Sequence, residues 1–281
     1  MTLHSLRRKK NNLRNVLRML EKLSPAIHNR KTNIMVLVLF SFSFIYSATT
    51  TLGCNIKRVS VYYAYGHELK SPKLQATIIF IKAFLLFFSH TTFPSLVGVL
   101  FCSLCLKCSS CFNYLTQKVH QYSPEEFGPS EQIDILRQKA KVDIILEKLH
   151  DIFSLPSFLV ILSNLLTCCV ALGMTVIGLE ARIKIIKALI YGIANSVSLI
   201  VVLWVAGELP MEQNRLKNAF YKRAHSRFLM ALSSKESQCK REILDKPNFV
   251  FSGCNIFSYT RNSVLTLVGT LLTYTLIIYK L

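Results

Sequence analysis

Cys102, Cys105, Cys108 and Cys111 recur at every third position. No other residues in the chain come closer, by type and spacing, to a zinc or iron–sulfur motif. In an extended loop, four thiolates at that spacing fold around one metal. On a helix, positions three apart drift around the axis and do not converge, and Cys102 and Cys105 fall inside an apolar run that reads as helix. The bacterial ferredoxin pattern also ends in a wider gap and a proline, which are absent here. The sequence therefore assigns no metal and no cofactor. The thiols read as small apolar packing residues. The alternative for Cys108 and Cys111, beside Lys107 at a cytoplasmic rim, is palmitoylation. Cys54, Cys168, Cys169, Cys239 and Cys254 suggest no disulfide framework.

Hydrolytic and proton-transfer chemistry lacks its groups too. The long apolar runs contain no Asp or Glu, which leaves no paired carboxylates or proton relay. The seven histidines are scattered, none at metalloprotease spacing, and no glycine-rich phosphate loop occurs. The expectation is a protein that is not an enzyme. What remains inside the runs is neutral and polar: Asn164, Thr175, Tyr191, Asn195, Thr270 and Thr273. Such side chains hydrogen-bond between membrane helices, or they line a pocket or pore offering neutral donors and acceptors to a small ligand.

The elements that must position these residues are membrane spans. Of 281 residues, 51% are hydrophobic, and uncharged stretches cover Thr32–Ile56, Ala83–Leu106, Ile152–Leu179, Ala188–Gly207 and Asn262–Tyr279. Each is near or above the roughly 20 residues one crossing needs. The net charge of +19 resembles a nucleic-acid footprint, but that function needs a basic face interleaved with exposed aromatics. Here the charges sit in blocks between apolar runs, and no nucleic-acid partner is expected. The fold class is all-α: a polytopic membrane bundle with five spans, about 33–53, 83–106, 157–178, 186–206 and 262–280. Apolar sequence before the second span begins at Leu74 and is interrupted only by Lys82. Two helices broken near His90 and Pro94 would each be too short to cross, so one long, proline-kinked helix fits better. Lys82 then reads as an interfacial anchor, or alternatively as a ligand or ion contact.

Loop charge sets the orientation. Residues 1–31, 107–156 and 207–261 hold 25 of the 34 Lys and Arg, whereas 54–73 and 180–187 hold seven. The positive-inside rule places the N-terminus in the cytoplasm and the C-terminus outside. The first apolar run is too long and too far from the start for a cleaved signal and acts as an uncleaved anchor. No Asn-x-Ser/Thr sequon occurs. Residues 1–31 form a basic amphipathic cytoplasmic segment. Leu6, Leu13, Val16, Leu17, Leu20 and Leu23 recur there at helical spacing, which suits an anionic leaflet, a partner, or packing on the protein itself. Residues 32–281 form one membrane domain, whose parts at 107–156 and 207–261 read as cytoplasmic helices that could build a collar.

The C-terminal end, KPNFVFSGCNIFSYTRNSVLTLVGTLLTYTLIIYKL over Lys246–Leu281, resembles the end of arthropod gustatory receptors. That family closes with Thr-Tyr, five hydrophobic residues and Gln-Phe. Thr273-Tyr274, then Thr275 to Tyr279, then Lys280-Leu281 occupy those places. Phe251-Ser252-Gly253, Phe257, Arg261 and Gly269 look similar, as do Leu149 to Pro156, Gly207-Glu208 and Gln213. The resemblance covers roughly residues 83–281. It implies a ligand-gated cation channel in the plasma membrane, a homo- or heterotetramer of seven-helix subunits that detects small-molecule tastants and contacts membrane lipid. It implies that the last helix lines the pore through Thr270, Thr273, Tyr274, Ile277 and Lys280. It also implies a ligand pocket in the outer half of the bundle, with Lys82, Phe84, His90, Thr175, Tyr191 and Asn195 as candidates. Two departures stand out. Five spans replace seven, as expected of an N-terminally short product, and Lys280 replaces Gln, so that four ammonium groups would ring a tetrameric pore. A non-conducting subunit that modulates full-length receptors is the alternative function.

Overall fold

The computed structural model describes residues 9–23, 30–176, 182–230 and 243–280. Leu6, Cys239 and the side chain of Lys280 lie outside the described part. The helices are α1 (Lys10–Leu23), α2 (Arg30–Leu52), α3 (Ile56–Tyr63), α4 (Pro72–Phe87), α5 (Phe93–Gln121), α6 (Pro129–Val176), α7 (Arg182–Met230) and α8 (Arg261–Lys280). Five stretches are long and apolar enough to cross a membrane: Thr32–Leu52, Pro72–Gln121, Pro129–Thr175, Ile185–Leu229 and Arg261–Ile278. The chain is a helical, multi-pass membrane protein.

The second of these stretches is continuous, because α4 passes into α5 through a π-helical segment, Phe88–Thr92. Pro94 has no N–H to bond back to His90 O, and the Phe93 N–H reaches five residues back to Phe88 O. A widened turn absorbs the misfit and lets the helix continue. Pro156 and Pro210 also lie inside helices α6 and α7.

Contacts divide the chain into two compact units. The first comprises residues 1–28, 101–158 and 203–263; the second comprises 29–100, 159–202 and 264–281. The first unit has an aromatic core: Phe101, Phe112, Phe127, Phe153, Phe220, Phe251 and Tyr259 are all fully buried. Ser123 and Glu126 cap one another reciprocally before α6: Glu126 N–H donates to Ser123 Oγ (3.2 Å), and Ser123 N–H donates to the Glu126 carboxylate (3.1 Å). Val16 and Leu20 of α1 are buried at 0% and 1% exposure, so this amphipathic helix turns its apolar face onto its own unit. The Asp143 carboxylate accepts from Lys139 Nζ at 2.7 Å and Lys246 Nζ at 3.0 Å. Nearby, burial and the charge of Lys139 lower the pKa of the Lys217 ammonium.

The same unit builds the base from which α8 departs. Strands β1 (Ser252–Gly253) and β2 (Phe257–Ser258) form a minimal antiparallel hairpin, whose turn residues Cys254 and Asn255 have φ of 52° and 59°. Ser154 Oγ pins it, donating to Ser252 O (3.1 Å) and accepting from Cys254 N–H (3.0 Å). Ser157 Oγ and Tyr259 Oη lie 2.9 Å apart, and Phe249 N–H donates to Gln213 Oε1 at 2.6 Å. Backbone approaches are close enough to require glycine. A Cβ on Gly253 would lie 2.6 Å from Tyr259 Oη, and one on Gly207 would lie 2.7 Å from Arg261 N. The Arg261 guanidinium stacks 4.5 Å from the Trp204 ring centroid. Many of the residues that carry the sequence resemblance thus meet in one junction.

The second unit buries small polar residues beside apolar ones such as Ile79 and Phe87, and exposes further apolar ones. Ser43, Ser47, Thr92 and Asn164 are fully buried, while Leu37 (68%), Leu166 (58%) and Val170 (59%) are exposed. Inside, Ser43 Oγ meets Thr92 Oγ1 at 2.6 Å, and Asn164 Nδ2 donates to Ser198 Oγ at 3.1 Å. Small polar residues glue the helices and apolar ones face outward, as a bundle in lipid requires.

Candidate functional site

Within the second unit, α2, α4, α6 and α7 border a partly open cavity of about 480 Å³, whose rim includes the outward-facing Leu166 and Val170. That volume lies in the size range of small-molecule pockets. One wall is aromatic. Tyr46 and Phe87 stack with centroids 4.7 Å apart, and Tyr191 sits edge-on to both, at 5.1 Å from Tyr46 and 4.8 Å from Phe87. Helix α6 supplies Leu166, Thr167, Val170, Ala171 and Met174, and α7 supplies Lys187 and Ala188. A smaller cavity of about 280 Å³ is lined by Thr175 with Cys168 and Ser196, and it shares Ala171 and Ala188 with the larger one. Cys168 Sγ and Ser196 Oγ lie 3.2 Å apart, and Thr175 Oγ1 donates to Leu172 O.

The six pocket candidates separate. Tyr191 lines the larger cavity and Thr175 the smaller. Asn195 is buried one turn from Tyr191. Its Nδ2 donates to Tyr191 O at 2.8 Å, and its Oδ1 has no hydrogen-bond partner among the described residues. Phe84 packs between Phe44 and Phe88, at centroid distances of 5.1 and 5.9 Å. Lys82 extends its ammonium toward Tyr65, 3.5 Å from the hydroxyl and 5.2 Å from the ring centroid. His90 is exposed within the π segment. Sequence reasoning missed Tyr46 and Lys187. Tyr46 falls between Ser43 and Ser47 on the polar face of α2, which is a usable signal. Lys187 was counted only as a loop charge.

On α8, Thr270, Thr273, Tyr274 and Ile277 follow i, i+3, i+4, i+7 spacing and share one face. Thr270 and Thr273 are exposed, with their hydroxyls donating back to Thr266 O and Gly269 O. Tyr274 is 36% exposed and Ile277 55%. Gly173 of α6 lets α8 approach: a Cβ there would lie 3.4 Å from Ile278 Cδ1 and 3.9 Å from Tyr274 Oη. The four spaced thiols run along α5 and are buried. Cys108 and Cys111 are 0% and 3% exposed, so an acyl donor would reach them only if that packing opened. Among the described residues no three His, Cys, Asp or Glu side chains gather as metal ligands would.

Comparison with known proteins agrees with this architecture. The fold is similar to that of the insect olfactory receptor OR5 from Machilis hrabei, with a TM-score of 0.68 at 15% identity over 96% of this chain and 68% of that one. The same receptor in complex with eugenol gives 0.65 at 14% identity over 97% and 69%. At such identity the likeness is one of fold. No curated protein sequence matches the chain. The family model described as trehalose receptor matches residues 74–281. The chain belongs to this trehalose receptor family, a family of insect gustatory receptors.

Proposed function

We propose that the chain is a subunit of a ligand-gated cation channel that detects small tastants at the plasma membrane. The N-terminus is cytoplasmic and the C-terminus extracellular, as the basic loops require. Four subunits, identical or mixed with other receptors, surround a pore lined by Thr270, Thr273, Tyr274, Ile277 and Lys280, and the cavity beside Tyr46 and Tyr191 receives the ligand. The observation that carries this reading is the poor coverage of α8 by its own chain. Leu265, Leu272, Leu276 and Ile277 are 73, 61, 63 and 55% exposed, and a Cβ on Gly269 would meet nothing within 4 Å. Helix α8 has both a lipid-facing side and room for neighbouring copies.

Whole-cell recording tests the proposal. In cells expressing Thr273→Cys, a membrane-impermeant cationic thiol reagent applied from outside reduces the tastant-evoked current; an unchanged current removes Thr273 from the pore. Lys280 bears on the alternative, a non-conducting subunit that modulates full-length receptors. Four ammonium groups in a narrow low-dielectric path repel cations by several kcal/mol. Lys280→Gln therefore raises the homomeric current. If neither form conducts alone and both alter the current of a complete receptor, the modulatory reading replaces the first.

A further inference from the structure

We propose that the cavity between Tyr46, Tyr191 and Lys187 takes an amphipathic monoanion, an alkyl or aromatic body ending in a carboxylate. This rests on reading that cavity as the ligand site, and it concerns the chemical class the site accepts. Four polar groups line the cavity: two phenols, the Thr167 hydroxyl and the Lys187 ammonium. Thr167 is already committed, donating to Ser163 O at 2.8 Å. The remaining wall is aliphatic, including Leu86, Val170 and Met174. A sugar placed here would lose water from hydroxyls on every face and recover few hydrogen bonds, an unfavourable exchange. A ligand with a long apolar body and a single charged end loses little.

Lys187 supplies the counter-charge. It lines the cavity half-buried and makes no ion pair among the described residues. Among the described residues of this unit Glu68 is the only carboxylate; it is exposed and does not line the cavity. The same unit also carries Lys57, Arg58, Lys70, Lys73 and Lys82. A field of one sign raises the local concentration of anions. An ammonium beside apolar walls is stabilised most by a carboxylate, which forms a charge-assisted hydrogen bond there. Tyr46 and Tyr191 hold the body with their ring faces and edges.

The test uses the full chain in phosphatidylcholine nanodiscs, with protein-free nanodiscs as the blank. The probe is fluorescent 11-(dansylamino)undecanoate, and the competitors are dodecanoate, dodecanol, dodecylamine and trehalose. Dodecanoate is expected to displace the probe at concentrations at least tenfold below dodecanol, and trehalose is expected not to displace it. Lys187→Met removes the tenfold preference, and Lys187→Glu shifts it to dodecylamine. Ala171→Phe fills the cavity and abolishes specific probe binding. Equal displacement by dodecanol, or a preference unchanged in Lys187→Met, overturns the anion proposal and assigns Lys187 to the lipid interface as a snorkelling anchor. In that case, loss of binding in Ala171→Phe still supports the cavity as the ligand site. Displacement by trehalose but not dodecanoate replaces the class with a polyol. Probe binding that survives both Ala171→Phe and Lys187→Met, with native elution on gel filtration, removes the ligand site itself.

Discussion

The two units of this chain solve opposite solvation problems. The first buries a cluster of phenylalanines around Phe101 and Phe251 and carries its charges in pairs such as Lys118–Asp134 and Lys139–Asp143. The second buries serines, threonines and asparagines among apolar residues such as Ile79 and Phe87, and exposes leucines and valines. One follows the rule for a core surrounded by water, the other the rule for helices surrounded by hydrocarbon. The difference also separates two kinds of sequence signal. The residues that resemble the family's motif at Ser154, Gly207, Phe251, Gly253 and Arg261 are packing residues of the first unit, whereas the cavity of the second is lined by residue types that any bundle uses.

Substitutions sharpen that contrast, and the largest effects are expected where the junction is tightest. Gly253→Ala forces a Cβ to within 2.6 Å of Tyr259 Oη and 2.8 Å of Phe158. It should cost about 3 kcal/mol by overpacking, read as a lower midpoint of thermal unfolding in detergent. Gly269→Ala, with open space around it, should change that midpoint little or raise it, since alanine favours helix by about 1 kcal/mol. Equal losses at the two glycines would dissolve the distinction between the units.

Charge placed on each surface probes the solvent directly. Ile45 and Ile133 are 51% and 47% exposed, in the second and first units respectively. Ile45→Arg should oppose membrane insertion by about 3 kcal/mol, measurable in a translocation assay. Ile133→Arg should stay within about 0.5 kcal/mol, as for ordinary surface positions. Similar penalties would mean that the two surfaces face the same medium.

Tyr259 gives a smaller, pH-dependent effect. Burial pushes its pKa up to about 12, and the hydrogen bond with Ser157 offsets part of that rise. Because the folded form holds the proton more tightly than the unfolded chain, stability is full below about pH 10 and falls as pH rises toward about 12. Tyr259→Phe should cost about 1 kcal/mol at neutral pH and flatten that alkaline loss in a pH series of melts. The smallest effect belongs to Asp134. Hydrogen bonds from Lys118 and Gln138 lower its pKa, so the contribution is present above the ordinary carboxylate value of about 3.9 and is lost as pH falls below it. The pair is partly exposed. Asp134→Asn should therefore cost less than about 1 kcal/mol and be further screened by salt.

The number and type of spans were legible because a crossing needs an apolar run of fixed length, which composition alone reveals. The continuity of α4 into α5 was legible for a related reason, since each half alone is too short. The π segment at Phe88–Thr92 was not. Only Pro94 hints at it, and a proline kink has several solutions. The hairpin at Ser252–Ser258 was invisible because two-residue strands have no periodicity, and its fit depends on Ser154 and Tyr259 arriving from elsewhere in the chain. The cavity was half legible. Tyr191 and Thr175 stood out as polar groups in apolar runs, but Tyr46 and Lys187 converge on the site from helices separated by more than a hundred residues. Their type at isolated positions says nothing of that meeting.

The most direct measurement is whole-cell current from cells expressing the chain with Lys280→Gln, challenged with trehalose, dodecanoate and eugenol, alongside the same chain carrying Ala188→Phe. The account predicts a cation current evoked by at least one of the three that disappears in Ala188→Phe at unchanged surface abundance. A current that survives Ala188→Phe undiminished, or no evoked current either alone or beside a complete receptor, would contradict it.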